Sequence, residues 1–434
     1  MESKQRETIN ILLFPWLAHG HISPFLELGK KLAARNFRVH LCSTPVNLER
    51  IKNNVTIELV ELHLPSTPEL PPHHHTTNGL PPHLMDPLKQ ALHVSGPPSF
   101  SSILETLKPD LVIYDFIQSW APALATSHNI PAVEFFLTNA SSTSYFLQLD
   151  AGDFPFPEIW MYDFEKNRVP LGTSTKEHSF EAMRRSHKVI LIRTFAEIEG
   201  KYLDHLSSVL GDKKMVPVGP LIRDPEPHQG FENLMTWLDE KEPLSTVFVS
   251  FGSESYPTKE EIEEIAIGLE LSLVNFIWVV RLPETGKKQS MKSFLLDGFD
   301  AKRGMVVEGW APQARILAHK SIGGFVSHCG WSSVLESMRF GVPIVAMPMQ
   351  TDQPLNARLV ESVGVGLEVK RDEFGEYKRN EICRVIRRVL VEEDGVCIRR
   401  KARELSEVIV KKGDDDIDVV AKELAQICKE YGKL

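Results

Sequence analysis

The stretch from Trp310 to Gln353 reads WAPQARILAHKSIGGFVSHCGWSSVLESMRFGVPIVAMPMQTDQ, and its pattern decides both the fold class and the kind of ligand. The apolar run from Gly323 to His328 predicts a buried strand. Cys329-Gly330-Trp331-Ser332-Ser333 then turns the chain into a helix, Val334 to about Phe340. Gly341 suits the position just past that helix, and Pro343 blocks its continuation. A second apolar run, Val342 to Met347, predicts the next strand and leads to Asp352-Gln353. Strand, turn, helix and strand form the repeating unit of a parallel α/β sheet, whose ligands lie at the carboxyl ends of the strands. The residues at those ends suit a nucleotide-sugar. Trp310 offers a stacking face for a base. The helix start, beside the Ser332 and Ser333 hydroxyls, is an anion site. Glu336, about one turn inside, is placed to accept hydrogen bonds from a ribose diol. Asp352 and Gln353 set a carboxylate and an amide side by side, which suits sugar hydroxyls.

The same alternation extends outward in both directions. Ile9–Phe14 reads as a buried strand, Ser23-Pro24 as a helix cap and first residue, and Phe25, Leu28 and Leu32 as one helical face. Asn36 reads as the end of that helix. Phe37–Cys42 and Leu111–Tyr114 are further strands. The run from Pro217 to Pro227 is rich in proline and charge, as linkers are. Beyond it, Thr246–Phe251, Phe276–Val280 and Met305–Val307 predict strands, and Thr258 with Glu261 forms a capping box. The reading is an α/β chain of two doubly wound, Rossmann-like domains: an N-terminal domain over 1–222, a linker over 223–232 and a C-terminal domain over 233–412. A last segment, 413–434, contains an amphipathic helix from Asp418 to about Lys429.

Composition narrows the partners. With 49 basic against 58 acidic residues the net charge is −9, which argues against nucleic acid or an anionic membrane surface. Five cysteines in no CxxC spacing suggest reduced thiols and a cytoplasmic chain. No signal peptide and no apolar run of about 20 residues is visible, so membrane insertion is not expected. A monomer is expected.

A catalytic pair is legible in the first half. His21 follows Gly20 at the turn after the first strand, and Asp115 ends a different strand at the same sheet edge. A carboxylate there accepts the imidazole Nδ1–H, fixes its tautomer and steadies the imidazolium. Three other features invite chemistry. His73-His74-His75 lies in a proline-rich loop with no acid or cysteine at ligand spacing. Asp414-Asp415-Asp416 contains a DxD-like pattern but precedes a helix, where acids favour the dipole. Cys329 reads as a small packed residue. No metal site is expected.

The Trp310–Gln353 stretch closely resembles the signature box of plant family-1 UDP-dependent glycosyltransferases, and the resemblance extends over nearly the whole chain. It implies a GT-B fold, with two Rossmann-like domains facing a cleft and the C-terminal helix packing back on the N-terminal domain. It also implies roles. Trp310 stacks on uracil; Ala311 and Gln313 hold the uracil and ribose region. His328, Gly330, Trp331, Ser332 and Ser333 hold the diphosphate; Ser253 touches phosphate and Thr138 the donor sugar. Glu336 binds ribose, and Asp352 and Gln353 bind the sugar. His21 is the base and Asp115 its orienter. The co-substrate implied is UDP-glucose, with no metal or other cofactor. One position departs from the family, which usually has Asn where this chain has Ser332. Serine there resembles the branch-forming members, which add sugar to sugar. PWLAHGHISPFLEL from Pro15, HTTNGLPPHLM from His75, LVIYDF from Leu111 and SHNIPA from Ser127 resemble the same group, which acts on triterpenoid and crocetin glycosides in plant specialised metabolism. The implied reaction is inverting glucosylation of a sugar hydroxyl through a β-1,2 or β-1,6 link; the alternative is glucosylation of an aglycone hydroxyl or carboxyl. A nicotinamide-dependent oxidoreductase would need G-x-G-x-x-G after the first strand, where only Gly20 stands beside bulky Trp16 and His21. A UDP-sugar-binding protein without turnover would lack His21 or Asp115.

Overall fold

The computed structural model describes residues 8–52, 57–148, 154–169, 180–211, 213–225, 230–252, 257–281 and 303–433. The chain forms two compact units. The first comprises Met1–Asp150, Leu171–Leu221 and Gly413–Leu434; the second comprises Ala151–Pro170 and Ile222–Lys412.

The first unit is built on strands β1 (Ile9–Phe14), β2 (Phe37–Ser43), β3 (Glu58–Glu61), β4 (Leu111–Tyr114), β5 (Ala132–Phe136), β6 (Val189–Ile192) and β7 (Lys214–Pro217). Their order is β3-β2-β1-β4-β5-β6-β7, and every ladder is parallel. The central strands are apolar runs because helices cover both faces. On one face Ile11, Leu13, Ile113 and Phe135 pack with Phe25, Leu28 and Leu32 of the helix His19–Ala33. Ile417, Val420 and Leu424 of the helix Asp415–Glu430 complete that layer. On the other face Leu12, Phe14, Val112 and Tyr114 meet Leu88, Leu92, Phe100 and Leu104 of the helix Met85–Leu107. Ion pairs Lys31–Asp414, Arg35–Asp418, Lys214–Glu423 and Lys188–Glu430 border the C-terminal helix. Asp414 is thus engaged by cations at the helix start.

The first helix begins earlier than Ser23-Pro24. Ala18 is its N-cap, and the Ala18 carbonyl accepts from His21 N–H at 3.0 Å and Ile22 N–H at 2.9 Å. Pro24 therefore lies inside the helix, and His21 falls in its first turn. The chain leaves that helix through Asn36, which adopts φ 64°.

The second unit contains β8 (Thr246–Ser250), β9 (Asn275–Val280), β10 (Gly304–Glu308), β11 (Ile322–Ser327), β12 (Ile344–Ala346) and β13 (Gly366–Glu368). The order β10-β9-β8-β11-β12-β13 is again parallel throughout, the doubly wound arrangement of Rossmann-like sheets. The Thr258–Glu261 capping box forms: Glu261 N–H donates to Thr258 Oγ1 at 3.2 Å, and Thr258 N–H to Glu261 Oε2 at 2.9 Å. Gly323 is the second residue of β11, where a Cβ would stand 2.1 Å from the Leu244 carbonyl oxygen, so only glycine fits.

The sequence reading places residues 151–170 in the N-terminal domain. They group instead with the second unit, because Glu165 and Trp160 are fastened to Arg358 there.

Candidate active site

In the first unit the strand order reverses between β1 and β4, and open α/β sheets bind ligands at that crevice. His21 and Asp115 meet there. The first turn of the helix after β1 carries His21, and Asp115 directly follows β4. His21 Nδ1 lies 2.6 Å from Asp115 Oδ2. A carboxylate only accepts, so Nδ1 carries the proton and Nε2 is left as the basic atom. Asp115 is fully buried, and its place is over-determined. Oδ2 also accepts Trp16 N–H at 3.3 Å, and Oδ1 accepts Ile117 N–H at 3.2 Å. The His21 side chain keeps 25% exposure.

Thr138, two residues beyond β5, shares a hydrogen bond of 3.0 Å with Thr143. Glu199 organises the helix start next to it, accepting Ala140 N–H at 2.8 Å and Ser141 N–H at 2.7 Å. Burial raises the Glu199 carboxyl, and these N–H groups partly offset it. Glu134, in β5 beside Tyr114, is buried with neither carboxyl oxygen hydrogen-bonded. Burial, and secondarily the Asp115 charge, push its carboxyl well up. Neither glutamate was singled out in the sequence. A lone Glu inside an apolar strand, as in Ala132-Val133-Glu134-Phe135-Phe136, is the only signal that exists for Glu134.

The second unit collects the box residues around its own switch point, between β8 and β11. Gly252 adopts φ 76°, and a Cβ there would sit 2.7 Å from the His328 ring; at Gly330 it would sit 2.5 Å from His328 Nε2. Both glycines thus make room for the imidazole. Burial lowers His328 to about 4, against a weaker opposing effect from the Ser250 backbone, so the ring is neutral at physiological pH. Cys329 holds φ 63°, a left-handed conformation uncommon outside glycine, and its N–H donates to Ser327 Oγ at 3.1 Å. Burial pushes its thiol far up, which suits packing rather than nucleophilic attack.

Gly330 is the N-cap of the helix Trp331–Phe340, and it has no side chain to occupy the space before the first turn. Ser332 and Ser333 lie in that turn, at the positive end of the helix dipole. Gly341 closes the helix in the left-handed conformation, φ 67°. Gln313 Nε2 donates to Ser333 Oγ at 3.1 Å and to Glu336 Oε2 at 2.8 Å, which fixes the Glu336 carboxylate. Trp310 is 49% exposed and makes an edge contact with Phe231, centroids 5.5 Å apart. The neighbouring Ala311 is buried. Asp352 stands at the N-cap position of the helix Gln353–Val363 without a side-chain capping bond, and burial raises its carboxyl. Its Oδ2 accepts from Asn356 Nδ2 at 2.9 Å, and the same Nδ2 reaches the Cys329 carbonyl at 2.9 Å. Gln353 Oε1 accepts the N–H groups of Met349 and Gln350 at 2.9 and 3.0 Å, which orients its amide with Nε2 as the donor end. Asn356, four residues past Asp352 on the same helical face, ties Asp352 to the Cys329 carbonyl; the sequence reading did not single it out, and its spacing was the available signal. Ser253 lies outside the described residues.

Residues 7–223 match the family described as "Glycosyltransferase, N-terminal domain", and residues 229–393 match "UDP-glucoronosyl and UDP-glucosyl transferase". The chain is 56% identical to UDP-glucosyltransferase 29 of Panax ginseng over 98% of each chain. It belongs to the plant UDP-dependent glycosyltransferases. It is an enzyme, and its two units are the Rossmann-like halves of a GT-B fold. A Mogroside IIIx synthase of Siraitia grosvenorii is 49% identical, over 98% of this chain and 95% of the relative. The Beta-D-glucosyl crocetin beta-1,6-glucosyltransferase of Gardenia jasminoides is 49% identical, over 96% and 99%. Among solved structures, Phytolacca americana UGT2 complexed with UDP-2fluoro-glucose and pterostilbene superposes with a TM-score of 0.79 at 26% identity, covering 97% of this chain and all of that one. Glycyrrhiza uralensis UGT73P12 gives a TM-score of 0.84 at 24% identity, over 98% and 96%, a likeness of fold. Among the described residues no helix is long and apolar enough to cross a membrane.

Proposed function

We propose that this glycosyltransferase moves glucose from UDP-glucose onto a sugar hydroxyl of a small-molecule glycoside, with a triterpenoid-type glycoside favoured, forming a β-1,2 or β-1,6 link. The observation that carries the chemistry is the His21–Asp115 hydrogen bond of 2.6 Å. His21 Nε2 takes the proton of the acceptor hydroxyl, while Asp115 steadies the resulting imidazolium. The acceptor oxygen bonds to the anomeric carbon as the bond from that carbon to the phosphate oxygen breaks. One displacement on an α-linked donor inverts the centre and gives a β-glucoside. UDP leaves with the bonding electrons. The Trp331 helix start, Ser332, Ser333, the Gly330 backbone and neutral His328 receive its charge, and Ser253, by the family resemblance, is assigned to the same phosphate. Trp310, Ala311, Gln313 and Glu336 hold the nucleoside, and Thr138, Asp352 and Gln353 hold the glucose. No metal takes part in this scheme.

Transfer to a sugar, rather than to an aglycone, is supported by full-length relatives, one of which is named for acting on a glucosyl crocetin. Ser332 at the position where the family usually has Asn supports the same reading. We place the enzyme, as a monomer, in the cytoplasm and in specialised metabolism. The test is a paired assay with UDP-glucose and EDTA, one acceptor a triterpene monoglucoside and the other its aglycone, read by mass spectrometry. The expected product is the monoglucoside heavier by one anhydro-hexose. Product from the aglycone alone would make this a first-step glucosyltransferase and remove Ser332 as a mark of branch formation.

A further inference from the structure

The segment Ala151–Pro170 enters the second unit between two stretches of the first, and one cation fastens its described part there. Arg358, 2% exposed, lies on the helix Gln353–Val363. Its Nη2 donates to both carboxylate oxygens of Glu165 at 3.1 Å, across 193 residues of sequence. Its Nη1 lies 2.7 Å from Glu368 Oε2 and donates to the Pro354 carbonyl at 3.3 Å. The guanidinium carbon stands 4.5 Å from the Trp160 ring centroid and 5.5 Å from that of Tyr162. Glu165 is itself pinned, since its Oε2 accepts Tyr162 N–H at 2.8 Å.

A buried ion pair is weak evidence for stability, because desolvating both charges offsets their attraction. What an arginine held by two carboxylates, with the touching Trp160 and Tyr162 rings beside it, supplies is geometry: the planar guanidinium fixes direction as well as distance. The direction fixed here is that of one helix. Asp352 at its N-cap and Gln353 at its first position begin it, and Arg358 bonds back to its first turn through the Pro354 carbonyl. The helix has a second anchor in Asn356, bonded to the Cys329 carbonyl. Releasing Arg358 removes the hold on the Pro354 carbonyl and leaves the first turn to Asn356 and to the Gln353 bonds with Met349 and Gln350, which loosens its direction. The groups assigned to the nucleoside are held separately, by Gln313 bridging to Ser333 and Glu336.

We infer that Arg358, clasped by Glu165 and Trp160, is a positioning residue for the donor sugar. It sets the helix start bearing Asp352 and Gln353, so the distant Glu165 tunes recognition of the sugar and not of UDP. The inference rests on the proposed function only in taking Asp352 and Gln353 as the sugar-facing pair.

The test is Glu165→Gln, which keeps the shape and removes the charge, with Glu165→Asp and Trp160→Leu beside it. Calorimetry gives Kd for UDP and for UDP-glucose, kinetics give KM and kcat, and a melting curve reports stability. In Glu165→Gln and Trp160→Leu, UDP affinity should stay within about twofold while UDP-glucose affinity and KM weaken about tenfold, roughly 1.4 kcal/mol. Glu165→Asp should recover part of that loss. A lowered melting temperature with an unchanged ratio of UDP-glucose to UDP affinity would reduce the clasp to a structural element and overturn the inference. If Glu165→Gln does not fold, Trp160→Leu decides alone on the same ratio. A wrong donor assignment shows in the unaltered enzyme, which would then prefer another UDP-sugar. The ratio is in that case read with the preferred sugar, and the clasp is still decided by the variants.

Discussion

Replacing Asp115 by Asn tests the dyad more sharply than removing it, because the shape stays and only donors and charge change. Among the described residues the Asp115 carboxylate accepts three hydrogen bonds: from His21 Nδ1 at 2.6 Å, Trp16 N–H at 3.3 Å and Ile117 N–H at 3.2 Å. An amide has one oxygen. If that oxygen stays with Ile117, the NH2 faces His21, Nδ1 must become the acceptor, and the proton moves to Nε2, where it blocks base catalysis. If the amide flips, the tautomer survives but the NH2 meets the Ile117 N–H, which costs about 1–3 kcal/mol for an unsatisfied buried group. In this second case the imidazolium formed in the transition state also loses its counter-charge. Two unit charges about 3.5 Å apart at an effective dielectric of about 20 attract by about 5 kcal/mol, or about 10³-fold in rate. Solvent over the His21 ring, 25% exposed, screens part of this and brings the expected loss in kcat to about 10²–10³-fold. Initial rates with saturating UDP-glucose measure it, and calorimetry should show UDP affinity unchanged within about twofold. A kcat within tenfold of the unaltered enzyme, with UDP bound normally, would refute the pairing as the orienting device.

Three further outcomes follow from named contacts. His21→Ala should abolish transfer while UDP still binds by calorimetry; retained turnover would remove His21 as the base. Ser332→Asn should retain UDP binding by the same measurement, and a complete loss would mean that this helix start is packed in a way that excludes the family's usual residue. His328, held down to about 4 by burial, contributes stability that is fully present above the unfolded value of about 6.5 and is lost as pH falls through 4. At pH 5 the loss is about 1–2 kcal/mol by linkage, so a His328→Gln variant should lose less stability than the unaltered enzyme between pH 7 and 5 in denaturant titrations. Parallel slopes for the two would show that His328 is not buried neutral.

Local chemistry was the most legible part of the chain. The Thr258–Glu261 capping box and the left-handed Gly341 are short-range hydrogen-bond and backbone devices, and each forms where its residues predict. The buried strands were legible as apolar runs because helices cover both sheet faces. The start of the first helix was misread, since Ser23-Pro24 imitates a cap while the hydrogen bonds begin at Ala18. What stayed hidden depends on contacts between distant residues. Glu199 reaches back to Ala140 and Ser141 across 59 and 58 positions, and Arg358 draws Glu165 into the second unit across 193. No periodicity marks such partners. Glu134 is hidden for another reason: nothing hydrogen-bonds its carboxyl, so no partner could have been paired with it.

The most direct measurement of the central claim is NMR of the purified product made from UDP-glucose and a triterpene monoglucoside. The account predicts a new β-anomeric proton whose three-bond correlation runs to carbon 2 or carbon 6 of the glucose already present. A correlation to an aglycone carbon, or an α-anomeric signal, would contradict inverting sugar-on-sugar transfer.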